Sequence, residues 1–246
     1  MTCKNCGNEF EGKFCNNCGQ KALQHGFTVK HILHDFFHSF THIDSGLLFL
    51  IREMFLRPGI VVKEYIGGKR KKYFNPMQYL VLGVAVSFFL TVKLGVIGYN
   101  HLAPEVYARL PYWQAFSLKY NNFVYTYFNL MLFIGVPVMA FYSYLFYKKS
   151  KNNFAENLVL QTFLSGQRSL IYILLMPLMY GLRQKWYIGL GAYYFIIFIY
   201  FAWAYIQFFG GNKIVNILKF TASFILSLIT IQGISLAVFY LFFFTL

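Results

Sequence analysis

Charge is scarce in this chain. Only 12% of its 246 residues are charged, and eight of them are acidic. That is about half the charge of an ordinary soluble domain. With 58% hydrophobic and 22% aromatic residues, a soluble fold of this length has no interior large enough for so much apolar side chain, whereas a bilayer receives it. Acid and imidazole are scarcest late in the sequence: from Val106 to Leu246 there is one acidic residue, Glu156, and no histidine. This removes the relay that a proton-coupled carrier normally holds inside the membrane. No HExxH or GxSxG pattern occurs, so the usual signatures of a metallopeptidase or a serine hydrolase are missing. An apolar leader is missing too, and the polar first twenty residues are expected to stay in the cytosol. No cysteine follows Cys18.

What is present divides near Pro76. Before it lie all four cysteines, five of six histidines and six of eight acidic residues; after it, long apolar runs dominate. A bilayer core about 30 Å thick needs roughly 20 apolar residues in a helix. Runs at Met77 to Tyr99, Phe123 to Tyr147, Phe154 to Tyr180, Tyr187 to Phe209 and Ile214 to Leu246 therefore predict an all-α polytopic membrane protein with about five spans. Residues 100–121 read as a loop with an aromatic anchor. The run at Phe154 to Tyr180 is interrupted by "SGQRS" and reads as a tilted or broken span; as a re-entrant hairpin it would reduce the count to four. The domains expected are a ribbon at 1–22, amphipathic juxtamembrane helices at 23–76 and the bundle at 77–246. Lysine and arginine concentrate in the loops that a cytosolic N-terminus would place inside, which agrees with the positive-inside tendency.

Cys3-Lys4-Asn5-Cys6-Gly7 and Cys15-Asn16-Asn17-Cys18-Gly19 form two Cys-x2-Cys pairs eight residues apart. Each pair suits one tight turn, with a glycine supplying the positive φ. Four thiolates converging on one ion suit zinc. Rubredoxin-like iron, two disulfides or four free thiols are the alternatives, and disulfides fit poorly in a reducing cytosol. Twenty residues have little core, so metal binding would supply most of their folding energy. Glu9 and Glu11 offset Lys4, Lys13 and Lys21, which makes nucleic acid a poor fit as partner despite the net charge of +14.

"TVKHILHDFFHSFTHID", Thr28 to Asp44, places His31, His34, His38 and His42 within an arc of roughly 80° on a helix, opposite a phenylalanine face. His31 and His42 are about 16 Å apart along such a helix, so a second metal site could use only a neighbouring pair such as His34 and His38. The plainer expectation is a wet histidine face and an apolar face on lipid or the bundle. "LLFLIREMFL" is too short and too charged to span, hence interfacial or packed on the bundle. In "LRPGIVVKEYIGGKRKKYFNP", Pro58 suits the first turn of a helix and Gly67-Gly68 its end. Lys69, Arg70, Lys71 and Lys72 then precede the first span and suit anionic headgroups. With Arg52 and Arg57 they also make a candidate phosphate or partner site. Arg168 stands alone as an intramembrane charge.

The paired knuckles ending "FCNNCGQ", then "RPGIVVKEYIGGKRKKYFNPMQYL", then "NFAENLV" resemble a bacterial membrane family, domain of unknown function 3667. The resemblance covers the N-terminal third well and the membrane part loosely. It implies an N-terminal zinc ribbon, with Cys3, Cys6, Cys15 and Cys18 as ligands, on a multi-span inner-membrane protein. It supplies no activity. The eight-residue gap between the knuckles is short and leaves little room for strands. The expected function is a membrane adaptor or accessory protein whose ribbon and basic juxtamembrane region bind a protein partner or membrane complex. A carrier or channel for a small or lipid-like substrate is the alternative, and an enzyme built on the histidine stripe a third reading.

Overall fold

The computed structural model describes residues 1–22, 46–94, 109–182 and 185–244. The histidine stripe, with its His34 and His38 pair, lies outside the described residues. The described part is helical apart from the ribbon. Its helices are α1 (Gly46–Leu56), α2 (Pro58–Ile66), α3 (Pro76–Leu94), α4 (Tyr112–Thr126), α5 (Phe128–Phe146), α6 (Phe154–Gly181), α7 (Trp186–Phe209) and α8 (Lys213–Phe239). Four helical segments are long and apolar enough to cross a membrane: Pro76–Leu94, Phe154–Gly181, Ile188–Phe209 and Lys213–Phe242. The apolar part of α5, Leu130–Phe146, is shorter.

Two expectations are revised in detail. The loop expected over 100–121 gives way at Tyr112 to α4. Its Tyr112, Phe116, Tyr120 and Phe123 stack at helical spacing, and the last three pack around Phe239 of α8. The second apolar run is split at Tyr127, so α5 begins at Phe128 instead of Phe123. Next to that break the Thr126 hydroxyl donates to the Asn122 carbonyl at 2.8 Å, a back-bond that bends helices.

The polar interruption "SGQRS" does not break α6, which runs unbroken for 28 residues. It is the contact with α3. A Cβ on Gly166 would meet the Tyr79 ring at 2.5 Å, and one on Gly83 would meet the Gly166 carbonyl at 3.1 Å. Small residues let the two backbones approach. The Tyr79 hydroxyl donates to Gln167 Oε1 across this contact. A capping box starts α6: Asn153 Oδ1 accepts from the Glu156 N–H, and Glu156 accepts from the Asn153 N–H.

The short helices α1 and α2 pack on the bundle. Leu50 and Met54 are fully buried, as are Val61 and Val62. α2 crosses α7 at Gly59, where a Cβ would lie 2.3 Å from the Ala204 carbonyl and 2.6 Å from the Phe208 nitrogen. The Gly59 N–H donates to Gln207 Oε1 at 3.0 Å, and the Tyr200 hydroxyl donates to the Met54 carbonyl at 2.8 Å. The opposite face of the pair, with Leu48, Phe55, Leu56 and Ile60, is exposed. Buried polar side chains bind neighbouring helices: Ser143 to Asn157 at 2.7 Å, Gln161 to Tyr205 at 2.6 Å, and Tyr147 to the Asn216 carbonyl at 2.8 Å.

Candidate metal centre and its mount

The ribbon is a twelve-residue unit used twice. The Cys3 N–H donates to the Asn8 carbonyl and the Gly7 N–H to the Cys3 carbonyl. Twelve residues on, the Cys15 N–H donates to the Gln20 carbonyl and the Gly19 N–H to the Cys15 carbonyl. Single antiparallel bridges, Thr2 with Glu9 and Phe14 with Lys21, close the two knuckles. Gly7 and Gly19 take φ of 77° and 70°, a region L side chains rarely adopt. Asn8 donates to Asn16 Oδ1 at 2.7 Å, tying one knuckle to the other.

This geometry brings the four predicted thiols together. The Sγ atoms of Cys3, Cys6, Cys15 and Cys18 all lie within 4.8 Å of one another. Cys3 to Cys18 and Cys6 to Cys15 are each 3.6 Å apart, too far for a disulfide at about 2.0 Å, and all four are free thiols. The cluster can hold one metal ion. The turns already favour thiolate at two positions. The Cys18 N–H, aided by that of Asn17, outweighs desolvation and holds Cys15 down at about 6. The Cys6 N–H does the same for Cys3, lowering it. For Cys6 the Asn8 N–H acts downward, but desolvation and the neighbouring thiols push it up to about 11. A cation among the four sulfurs relieves that competition for protons.

The ribbon is mounted on the basic loop by Gln20, which is buried. Its Nε2 donates to the Gly68 carbonyl at 2.7 Å, and its Oε1 accepts from the Arg70 and Lys71 N–H groups at 3.2 Å each. Gly68, with φ of 115°, turns the chain out of α2 into this loop. The sequence reading passed over Gln20; its available signal was the repeat Cys-x-Asn-Cys-Gly-(Asn/Gln), whose last position is Asn8 in one knuckle and Gln20 in the other.

Beneath the loop lies a hub on Glu64. Its carboxylate accepts from the Tyr73 hydroxyl at 2.5 Å and pairs with Arg57 at 3.4 Å, Lys69 at 3.3 Å and Lys72 at 3.4 Å. Arg57 also pairs with the buried Glu53 at 2.5 Å. The Tyr73 hydrogen bond, then Lys69 and Lys72, overcome desolvation and hold Glu64 at about 2. Glu53, foremost, raises Arg57, and burial followed by the Glu64 contact raises Tyr73. Of the candidate basic residues, Arg57, Lys69 and Lys72 thus share carboxylates, Arg70 is half-buried, and Arg52 and Lys71 are exposed. Arg168 is remote from this cluster in sequence and half-buried in α6.

No curated protein and no solved structure matches the chain. The stretch from just before α1 to the middle of α3 encloses the hub, the Gln20-bound loop and the Gly59 and Gly83 contacts. It is this stretch, residues 44–88, that matches the family described as "Protein of unknown function (DUF3667)".

Proposed function

We propose that the protein is an adaptor or accessory component of a bacterial cytoplasmic membrane, with a cytosolic, zinc-loaded ribbon that binds a protein partner in a membrane complex. The observation that carries this reading is the Gln20 mount. A ribbon held by three hydrogen bonds to the Gly68–Lys71 backbone presents its outer surface in a fixed orientation, and Phe14 stands on that surface 60% exposed. A preorganised apolar side chain amid polar neighbours is what a partner-binding patch requires. The donor set favours zinc. A tetrahedron with Zn–S of about 2.3 Å has edges of about 3.8 Å, near the 3.6 Å sulfur pairs. The exposed Arg52 and Lys71 supply contacts to anionic headgroups.

Metal content and photocrosslinking test this reading. Purified protein should carry about one zinc per chain, and the Cys3→Ser, Cys18→Ser double variant none; iron in place of zinc, or unchanged metal in the variant, would remove the assignment. A photoreactive side chain at Phe14 in native membranes should give a discrete protein adduct that the double variant loses. Zinc-replete protein that crosslinks only to lipid would end the adaptor reading. A carrier or channel for a small or lipid-like substrate is the second reading, favoured by the charge of Arg168 within an apolar helix.

A further inference from the structure

Arg168 lies on the face of α6 that looks into the bundle. Asn157 on that face meets Ser143 of α5, and Gln161 meets Tyr205 of α7. Arg168 follows Gln161 by seven residues, two turns further along the same stripe. Its sequence neighbours Gln167 and Ser169 turn to the other side, against Tyr79 and Gly83 of α3. The Gly83 contact also sets the depth: Gly83 is seven residues into α3, so Arg168 sits about 10 Å past the start of that span.

The guanidinium has no ion-pair or hydrogen-bond partner among the described residues. After Pro76 the chain holds two acids, Glu105 and Glu156. Glu105 lies outside the described residues, and Glu156 is committed to the cap of α6 about 18 Å away along the helix. Tyr172, one turn after Arg168 on α6, brings Tyr193 of α7 to the same stripe, within reach of the Arg168 charge. Tyr193 is buried, and its ring meets Tyr172 edge-on at 5.6 Å. Its hydroxyl likewise has no hydrogen-bond partner among the described residues. Tyr172 is itself fixed by Thr91 of α3, hydroxyl to hydroxyl at 3.2 Å. A guanidinium and a phenol therefore lie along one stripe between α6 and α7, with no carboxylate among the described residues to pair with the cation.

We infer that Arg168 and the Tyr193 hydroxyl form an oxyanion site within the bundle, taking a phosphate-type group. The planar guanidinium matches two oxygens of such a group, and the phenol donates to a third. An ionisable side chain at this depth is retained at a cost that a bound anion offsets. The same phosphate chemistry can come from a phospholipid of the nearer leaflet or from a soluble phosphate.

The test is thermal unfolding of the full, metal-loaded chain in neutral detergent. One arm adds inorganic phosphate; the other adds phosphatidylglycerol, with phosphatidylcholine as its control. At least one arm should raise the midpoint saturably. Arg168→Gln should abolish the rise, Tyr193→Phe should weaken apparent affinity about tenfold, and Lys119→Gln, at an exposed position of α4, should leave it intact. A rise with phosphatidylglycerol alone assigns a lipid headgroup; a rise with inorganic phosphate as well assigns a soluble anion. Should Arg168→Gln not fold, Arg168→Lys should fold and bind more weakly than the parent, because lysine lacks the planar fork. No saturable rise in either arm, or a rise undiminished by the Arg168 substitutions, overturns the site.

Discussion

Two side chains set the arrangement around the thiol cluster, Gln20 above the basic loop and Glu64 below it. Gln20 is a positioning residue. Removing its amide leaves the Gly68 carbonyl and the Lys71 N–H without the partners they have now, which is costly for the buried Gly68 and opens the Lys71 amide to water. Gln20→Ala should therefore keep its metal but speed hydrogen exchange at Lys71 by about tenfold or more. Unchanged exchange at Lys71 would show that the ribbon does not hold the loop. Glu64 makes a separate prediction in pH. Its folded pKa, about 2, lies below the ordinary 4.5, so its contribution is full above about 4.5. That contribution is lost as the pH falls from there through 2. Glu64→Gln should be less stable than the parent at pH 6, and the gap should narrow between pH 5 and pH 2. Metal release on acidification affects both proteins and cancels in the difference. A gap constant over that range would mean that Glu64 is not held by its neighbours.

Helix crossings decide how the elements assemble. At Gly59 the α7 backbone occupies the space a side chain would need, with the Ala204 carbonyl 2.3 Å from an added Cβ. Backbone cannot swing aside as a side-chain tip can, so Gly59→Ala should destabilise by about 1–3 kcal/mol. Gly191→Ala, on the same α7 with nothing within 4 Å, is the matched control and should fall within about 1 kcal/mol of the parent. Unfolding in detergent would read both; equal effects would refute the close crossing. These crossings also explain what the sequence disclosed and what it withheld. Apolar length announces α3, α6, α7 and α8, because a span must satisfy its backbone internally and cover itself with apolar side chains. The Cys-x2-Cys pairs announce the thiol cluster, because ligand chemistry fixes their spacing. Pro58 and Gly68 mark the ends of α2 through local backbone preference. Gly166 was ambiguous, since "SGQRS" reads as a chain break until Tyr79 is seen packed against it. Gln20 and Glu64 were hidden for a related reason: their partners at Gly68, Arg70 and Tyr73 are chosen by tertiary contact, which no local pattern encodes.

At the scale of the whole molecule the unbroken α6 bears on topology. A helix of 28 residues is about 42 Å long, more than a bilayer core of about 30 Å, so it is long enough to place its two ends on opposite sides. Lys148, Lys149 and Lys151 precede it and Lys185 follows it. If the ribbon and the Lys69–Lys72 loop are cytosolic, α3 runs outward, α5 returns to the basic turn at Lys148–Ser150, and α6 runs outward again. α7 then returns to Lys213, and α8 leaves the C-terminal end outside. The contacts between α3 and α6 advance together along both helices, which supports their parallel course: Tyr79 meets Gln167 early in α3 and midway along α6, and Thr91 meets Tyr172 further along each. α6 thus begins well before α3 does. Its first two turns, with Asn157 and Gln161, lie beside the ends of α5 and α7, where Tyr147 stacks on Phe209 at 3.7 Å. Reporter fusions after Lys149, Lys185 and Leu246 should read inside, outside and outside. The Lys185 fusion is decisive: an inside reading there would require α6 to re-enter on the side it left, which a continuous helix of 28 residues cannot do, and both the five-crossing arrangement and the parallel α3–α6 pair would fall.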